Sequence, residues 1–315
     1  MKAQAIVFDA PRELSVKLLD LREPGAEDLV VEVAYSGIST GTERLLWTGT
    51  MPAFPGLAYP LVPGYETVGV VKHAPAASPV KEGEWVFVPG SYTFTGAHNL
   101  FGGAGATMVV PHSRVIPVDA QLGANAVLLA LAATAYHAVS IGGKRDPIIA
   151  PDLIVGHGVM GRLLARLVVA AGLPAPTVWE TNPVRQLGGK GYSVIHPDED
   201  TRKDYQAIYD VSGDGTLLNS LISRLAHGGE VVLAGFYTQD LSFAYPPAFM
   251  REAQIRVATE WKKPDLLAVT ELIHNGRLSL DGLLTHTQTP DKALEAYEIA
   301  FSDPHCLKMV MDWRN

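Results

Sequence analysis

The run Gly156-His157-Gly158-Val159-Met160-Gly161 follows directly on an apolar segment, 152–155, and opens a helical pattern over 162–171. Glycines at the first, third and sixth places of such a run have separate tasks. The first permits a tight turn, the second lets the backbone approach a pyrophosphate, and the third lets the helix pack closely on a sheet. The start of the helix offers free N–H groups and the positive end of its dipole to phosphates. Glu180 closes the next β-prone run, 177–180. A carboxylate there can accept both ribose hydroxyls of NAD and would repel a 2′-phosphate. The residues that follow, Thr181-Asn182-Pro183-Val184, contain no Lys or Arg. The pattern predicts a dinucleotide site and favours NAD over NADP. The competing readings are an ordinary glycine turn for the loop and a solvated strand end for Glu180.

Positioning such a loop takes a parallel, doubly wound sheet. From residue 152 onward, short β-prone runs at 152–155, 177–180, 192–195, 206–211, 230–234 and 256–260 are mostly separated by helical patterns, among them 162–171 and 216–225. That alternation predicts such a sheet. The preceding part reads differently. Alternating runs at 3–8, 29–35, 67–73, 85–88 and 107–110, broken by Gly and Pro, predict a mainly antiparallel β unit. Pro52, Pro55, Pro60 and Pro63 mark 51–63 as a loop. A helix is expected over 121–142, stopped by Gly142-Gly143. Helices at 266–275 and 292–301 and a strand at 307–312 complete the chain.

Composition limits what such a molecule can be. The chain has 315 residues, 47% hydrophobic and 18% charged, which excludes a disordered or fibrous protein and suggests about two domains. Its 25 Lys and Arg against 33 Asp and Glu give a net charge of −8. Without a cluster of basic residues, nucleic acid is not an expected partner. The longest apolar run, 124–139, is interrupted by Asn125, Thr134, Tyr136 and His137 and reads as a buried helix rather than an integral membrane segment. The first nine residues lack the apolar core of a signal peptide. A cytoplasmic protein is expected. Cys306 is the single cysteine, so neither an internal disulfide nor a Cys-rich zinc site can form.

Several further runs carry a resemblance. They are Ser36-Gly37-Ile38-Ser39 with Gly41-Thr42-Glu43, Val62-Pro63-Gly64-Tyr65-Glu66-Thr67-Val68-Gly69, Gly83-Glu84-Trp85-Val86-Phe87, Gly102-Gly103-Ala104-Gly105, Ala133-Thr134-Ala135-Tyr136-His137-Ala138 and Leu284-Thr285-His286. With these the chain resembles, over essentially its full length, the medium-chain dehydrogenase/reductase superfamily. The resemblance implies an α/β molecule: a GroES-like β-rich catalytic domain over 1–120, a Rossmann NAD-binding domain over 121–265, and a C-terminal segment, 266–315, returning to the first. It also implies an active site in the cleft between domains and, by analogy, a homodimer. Zinc-dependent members use a Cys after Gly-Ile, a His-Glu pair after Pro-Gly, and a further Cys or acidic residue before the Thr-Ala-Tyr helix. Here those places hold Ser39 (or Thr40), Tyr65-Glu66 and the stretch 130–133. The four-cysteine lobe is missing, so a zinc-independent member with no metal is expected.

The runs 37–47 and 59–66 look like the bacteriochlorophyll-biosynthesis branch of that superfamily. This implies NAD-dependent oxidation of a 1-hydroxyethyl group on a bacteriochlorophyllide-type tetrapyrrole to an acetyl group, in the service of photosynthesis and near its membrane. Without zinc, another group must take the hydroxyl proton or hold its charge. Glu66, if buried, would become a stronger base, whereas Tyr65 would need a nearby positive charge to ionise. Ser39, Thr40 and Thr42 could orient the hydroxyl or relay a proton, and His137 is a further candidate. A flat pigment needs a wide apolar cleft, for which Trp47, Phe54 and Tyr59 are candidate walls. Arg44 is a candidate partner for the propionate. Two rival readings remain: a zinc-free NAD(P)H quinone or enone reductase, and a noncatalytic NAD-binding protein.

Overall fold

In the computed structural model, which describes residues 1–53, 55–140 and 149–314, the strand Asp28–Gly37 is the spine of the first unit. Leu29, Val31 and Val33 point inward and Glu32 outward, and beyond Val33 the strand is buried on both faces. It pairs antiparallel with Thr67–His73, Thr107–Pro111 and Met309–Asp312. These belong to a seven-stranded sheet that continues to Trp85–Val88 and Ile116–Pro117 on one side and His286–Gln288 on the other. A four-stranded sheet, ordered Glu13–Asp20, Lys2–Ala10, Leu61–Val62, His98–Asn99, belongs to the same unit. Phe8, Val31, Leu46, Trp47, Met108 and Tyr297 lie in their shared core. The unit comprises Met1–Ala130 and Asp281–Asn315.

The second unit, Leu131–Leu280, is built on a six-stranded parallel sheet ordered Ser193–Ile195, Thr177–Trp179, Leu153–Val155, Tyr205–Asp210, Leu225–Leu233, Gln254–Val257. The first two connections turn one way from Leu153–Val155 and the later ones the other, which is the doubly wound dinucleotide-binding order. Helix Val159–Ala170 follows Leu153–Val155 and buries Leu163, Leu164, Leu167 and Val168.

The structure differs from the expected boundaries in instructive places. The division falls after Ala130 and Leu280, not near 120 and 265. Helix Lys263–His274, expected in the returning tail, belongs to the second unit. Its Asp265 accepts from the backbone N–H of Lys262 and from His137 Nδ1, both links local to that unit and the second of them buried. The strand expected at 256–260 is Gln254–Val257, because its register is set by pairing Glu230 with Gln254 through Leu233 with Val257. The helix expected over 121–142 is a 3₁₀ stretch, Ala120–Leu128, interrupted at Gly123 with φ +50, then an α-helix, Leu129–Ser140. By length and composition alone, 120–140 could cross a membrane, but just over half of it is buried inside the protein. Gly142-Gly143 lie outside the described residues. Strand Glu13–Asp20 and helix Thr42–Thr48 have no counterpart in the sequence reading.

Candidate active site

Three chain segments meet at the end of the spine strand. The Gly37 N–H donates to the Glu66 carbonyl (2.7 Å), and the Ile38 N–H donates to the Met309 carbonyl (3.0 Å). This knit brings Lys308 beside Glu66. Lys308 Nζ donates to Glu66 Oε2 at 2.6 Å and to the Ile38 carbonyl at 3.1 Å. Glu66 is 0% and Lys308 1% exposed, so the pair is desolvated and survives only because each charge has the other. Glu66 Oε1 has no hydrogen-bond partner. A Cβ on Gly37 would lie 2.3 Å from Glu66 Oε2, so any larger residue there would push the carboxylate off its position beside Lys308.

Beside this pair, Ser39 Oγ and Tyr65 Oη are 2.7 Å apart. The Tyr65 ring stands edge-on to Phe101. Burial, and then the Glu66 carboxylate, push the Tyr65 hydroxyl above its ordinary range. Tyr65 is therefore a neutral phenol at physiological pH; the sequence reading had required a positive charge close enough to ionise it, and Lys308 is spent on Glu66. Glu66 is buried, as the base role requires, and its carboxylate is paired with Lys308. Thr40 is exposed at the outer edge of the turn, and Thr42 is half-buried at the start of its helix.

The sequence reading passed over three participants. Glu43, 1% exposed, accepts from the Ser39 backbone N–H through Oε1 (3.0 Å) and from the Tyr297 hydroxyl through Oε2 (2.7 Å). Its carboxyl is pushed up to about 7, chiefly by burial, with those two hydrogen bonds opposing. Lys308 and Tyr297 come from the distant C-terminal stretch. Glu43 lies within the Gly41-Thr42-Glu43 run, but no local motif announces Lys308 or Tyr297; only the antiparallel pairing of Val310 with Gly37 brings the ends of the chain together.

The other candidates fall elsewhere. His137 is in the second unit, where its Nδ1 lies 2.7 Å from Asp265 Oδ2; this buried couple ties two helices. Trp47 is buried against Phe8, a core position rather than a pocket wall. Tyr59 is half-buried and its hydroxyl donates to the Leu46 carbonyl. Arg44 is exposed. Phe54 lies outside the described residues.

In the second unit each glycine of the glycine-rich loop has a different setting. Gly156 has φ +104, and a Cβ on Gly161 would sit 1.9 Å from the Gly156 carbonyl oxygen. A Cβ on Gly158 would meet nothing within 4 Å, so there the loop faces open space. Gly158 caps helix Val159–Ala170 without a side-chain hydrogen bond, leaving the first N–H groups, with Val159 and Met160, for an anion. Glu180 is fixed from both sides: the His157 N–H donates to Oε2 (3.1 Å) and the Asn182 N–H to Oε1 (2.8 Å). Thr181 is exposed. The His157 ring is buried beneath the loop. Nδ1 faces the Arg185 carbonyl at 2.6 Å, which can only accept, so Nδ1 carries the hydrogen and Nε2 accepts from Tyr192 Oη at 2.8 Å. Burial pulls this ring down to about 4, so it stays neutral. These features suit a dinucleotide: a cradle without side chains, a free helix start and a fixed carboxylate.

Among the described residues, no three His, Cys, Asp or Glu side chains are arranged to hold a metal. Residues 25–120 match the alcohol dehydrogenase GroES-like domain. The chain is 52% identical to 2-desacetyl-2-hydroxyethyl bacteriochlorophyllide A dehydrogenase of Rhodobacter capsulatus, covering 100% of this chain and 99% of the relative. Two solved structures share the fold at 18% identity, each covering 99% of both chains. One, from Sinorhizobium meliloti 1021 (TM-score 0.80), is described as a zinc-binding dehydrogenase bound to NADP. The other, from Escherichia coli CFT073 (TM-score 0.83), is an alcohol dehydrogenase complexed with NADH. With half of its residues identical along the whole length of a relative, this chain belongs to the bacteriochlorophyllide hydroxyethyl dehydrogenase family of the medium-chain dehydrogenase/reductases.

Proposed function

We propose that the protein oxidises the 1-hydroxyethyl group of a bacteriochlorophyllide to an acetyl group with NAD and without zinc. The observation that carries this reading is the full-length identity to a dehydrogenase of that pigment, joined to a carboxylate, Glu180, held by a backbone amide of the glycine-rich loop. The bound nicotinamide supplies the hydride acceptor for the carbinol carbon. The protein's own part is to hold the hydroxyl and dispose of its proton. Ser39 and Tyr65, 2.7 Å apart, orient the substrate hydroxyl as neutral donors and acceptors. Thr40, exposed, and Thr42, half-buried, follow Ser39 on the same turn and are the hydroxyls proposed to relay the proton to solvent. The paired Lys308 and Glu66 stand behind them, so the donor set is hydroxyls and one neutralised carboxylate, a poor match for zinc. Arg44 is exposed and can pair with the propionate.

The decisive assay follows the pigment's long-wavelength absorption on incubation with NAD or NADP, with and without EDTA. A shift with NAD that EDTA leaves intact supports the reading. Loss with EDTA overturns the zinc-free part; NADPH-driven enone reduction or inertness would replace the whole reading with a reductase or a noncatalytic binder. A Glu180→Ala variant should bind NAD about tenfold more weakly, the equivalent of one charged hydrogen bond, and lose less towards NADP. Unchanged NAD affinity would remove Glu180 from the ribose site.

We infer a homodimer as well. The edge strand Gln254–Val257 exposes Val257 at 75%, and the nearby helix Tyr245–Met250 exposes Tyr245, Phe249 and Met250. An open strand edge flanked by apolar side chains pairs readily with its own copy. Val257→Lys combined with Phe249→Glu should give monomers by sedimentation with NAD binding retained; an unchanged mass would reject this surface. The reading also carries a cytoplasmic location, peripheral to the photosynthetic membrane, where so apolar a pigment is at hand.

A further inference from the structure

Glu43 is buried in the first unit, yet nothing in the alcohol oxidation as described uses it directly. Its two carboxylate oxygens do different things. Oε1 takes the backbone N–H of Ser39, four residues earlier, and Oε2 takes the hydroxyl of Tyr297 from helix Ala293–Ser302. Ser39 in turn shares a hydrogen bond between its own hydroxyl and that of Tyr65. The turn that presents the hydroxyl pair is thus clamped from behind by one acidic side chain. We propose that Glu43 is a positioning residue for the alcohol oxidation: its carboxylate holds the Ser39 turn so that the Ser39–Tyr65 pair is aimed, and protonation of Glu43 slackens that hold. This rests on the reading of the site given under Proposed function.

The chemistry of the clamp gives it direction. An ionised carboxylate accepts both bonds at full, charge-assisted strength. Once protonated, it must turn its O–H towards Tyr297, reversing that bond, and the Ser39 N–H is left with a neutral carbonyl oxygen. The groups facing Glu43 are Tyr297, the Glu66 carboxylate and the Lys308 ammonium, with Tyr65 also within its field. Glu66 and Lys308 largely cancel one another, so burial dominates and raises the carboxyl to about 7. The clamp is therefore complete above neutrality and loosened below it.

The experiment compares kcat and KM against pH for wild type, Glu43→Gln and Glu43→Asp, using the hydroxyethyl pigment and NAD. The glutamine variant keeps the shape without the charge. It should lose the fall in kcat below about pH 7 and run roughly 10- to 100-fold below wild type at pH 8, the scale of misplacing a catalytic group by a fraction of an ångström. KM should change little, and aspartate should restore an inflection. A glutamine variant with the wild-type profile overturns the proposal. Should wild type not turn over the pigment, the functional reading fails by itself, and the clamp is then read in substrate-free protein. There the infrared carbonyl band of a protonated carboxyl should titrate near neutrality together with a tyrosine band that Tyr65→Phe removes. A Tyr65 band indifferent to that titration overturns the clamp; this measurement on wild type also decides the matter if Glu43→Gln does not fold.

Discussion

A Lys308→Met variant should be about 3–5 kcal/mol less stable than its parent, the usual penalty for leaving one member of a buried ion pair without the other. Methionine keeps most of the stem's volume, so the loss reports charge rather than packing. Glu66 would be left at 0% exposure with Oε2 deprived of its 2.6 Å partner and Oε1 already without one. For a unit of this size the thermal midpoint should fall by about 10 °C. Adding Glu66→Leu to the same chain should recover most of that loss, since a buried ion pair exchanged for apolar groups of similar volume is commonly neutral or better. Denaturant unfolding of the single and double variants gives the coupling directly. A single variant costing under about 1 kcal/mol, the value of an exposed pair, would mean that water reaches these charges.

The second large effect is expected at Gly161. An alanine Cβ would lie 1.9 Å from the Gly156 carbonyl oxygen and 3.0 Å from its carbon. Both are backbone atoms in the turn, so the helix must move away from the strand. With the phosphates placed as proposed, where the two meet, NAD affinity should drop more than 100-fold, or about 2.7 kcal/mol. Gly158→Ala is the informative control. Its Cβ meets nothing within 4 Å, so the variant should fold and melt like wild type, and yet bind NAD weakly because the methyl occupies the approach. Calorimetric titration with NAD settles both. A Gly158→Ala protein with full affinity would show that the open space beside the loop is not where the dinucleotide lies.

How far the sequence foretold this molecule depended on distance along the chain. The dinucleotide loop, its strand and its helix are contiguous, and the spacing of Gly156, Gly158 and Gly161 reports their separate tasks; strands 67–73 and 85–88 match residue for residue. Ser39 and Tyr65 could be singled out by resemblance, though not their 2.7 Å contact. Lys308 and Tyr297 could not be found locally. One sits before a short closing strand and the other on a helix with an ordinary apolar face, and both acquire meaning only when Met309–Asp312 pairs with Asp28–Gly37. Trp47 looked like a pocket wall because aromatic residues in proline-rich surroundings suit a flat ligand, but its neighbour in space is Phe8. Boundaries slipped where register decides, as at Gln254–Val257, because register belongs to the partner strand.

The carboxylate of Glu180 is held by one amide from the glycine-rich turn and another from the segment after its own strand. Exchanging it for a cation, the obvious route to accepting a 2′-phosphorylated nucleotide, would therefore remove a brace from the turn proposed to seat the pyrophosphate. Redesigning coenzyme preference in this enzyme is consequently a task for coordinated changes at His157, Glu180 and Asn182, since the carboxylate proposed to discriminate between coenzymes is also part of the loop's own framework.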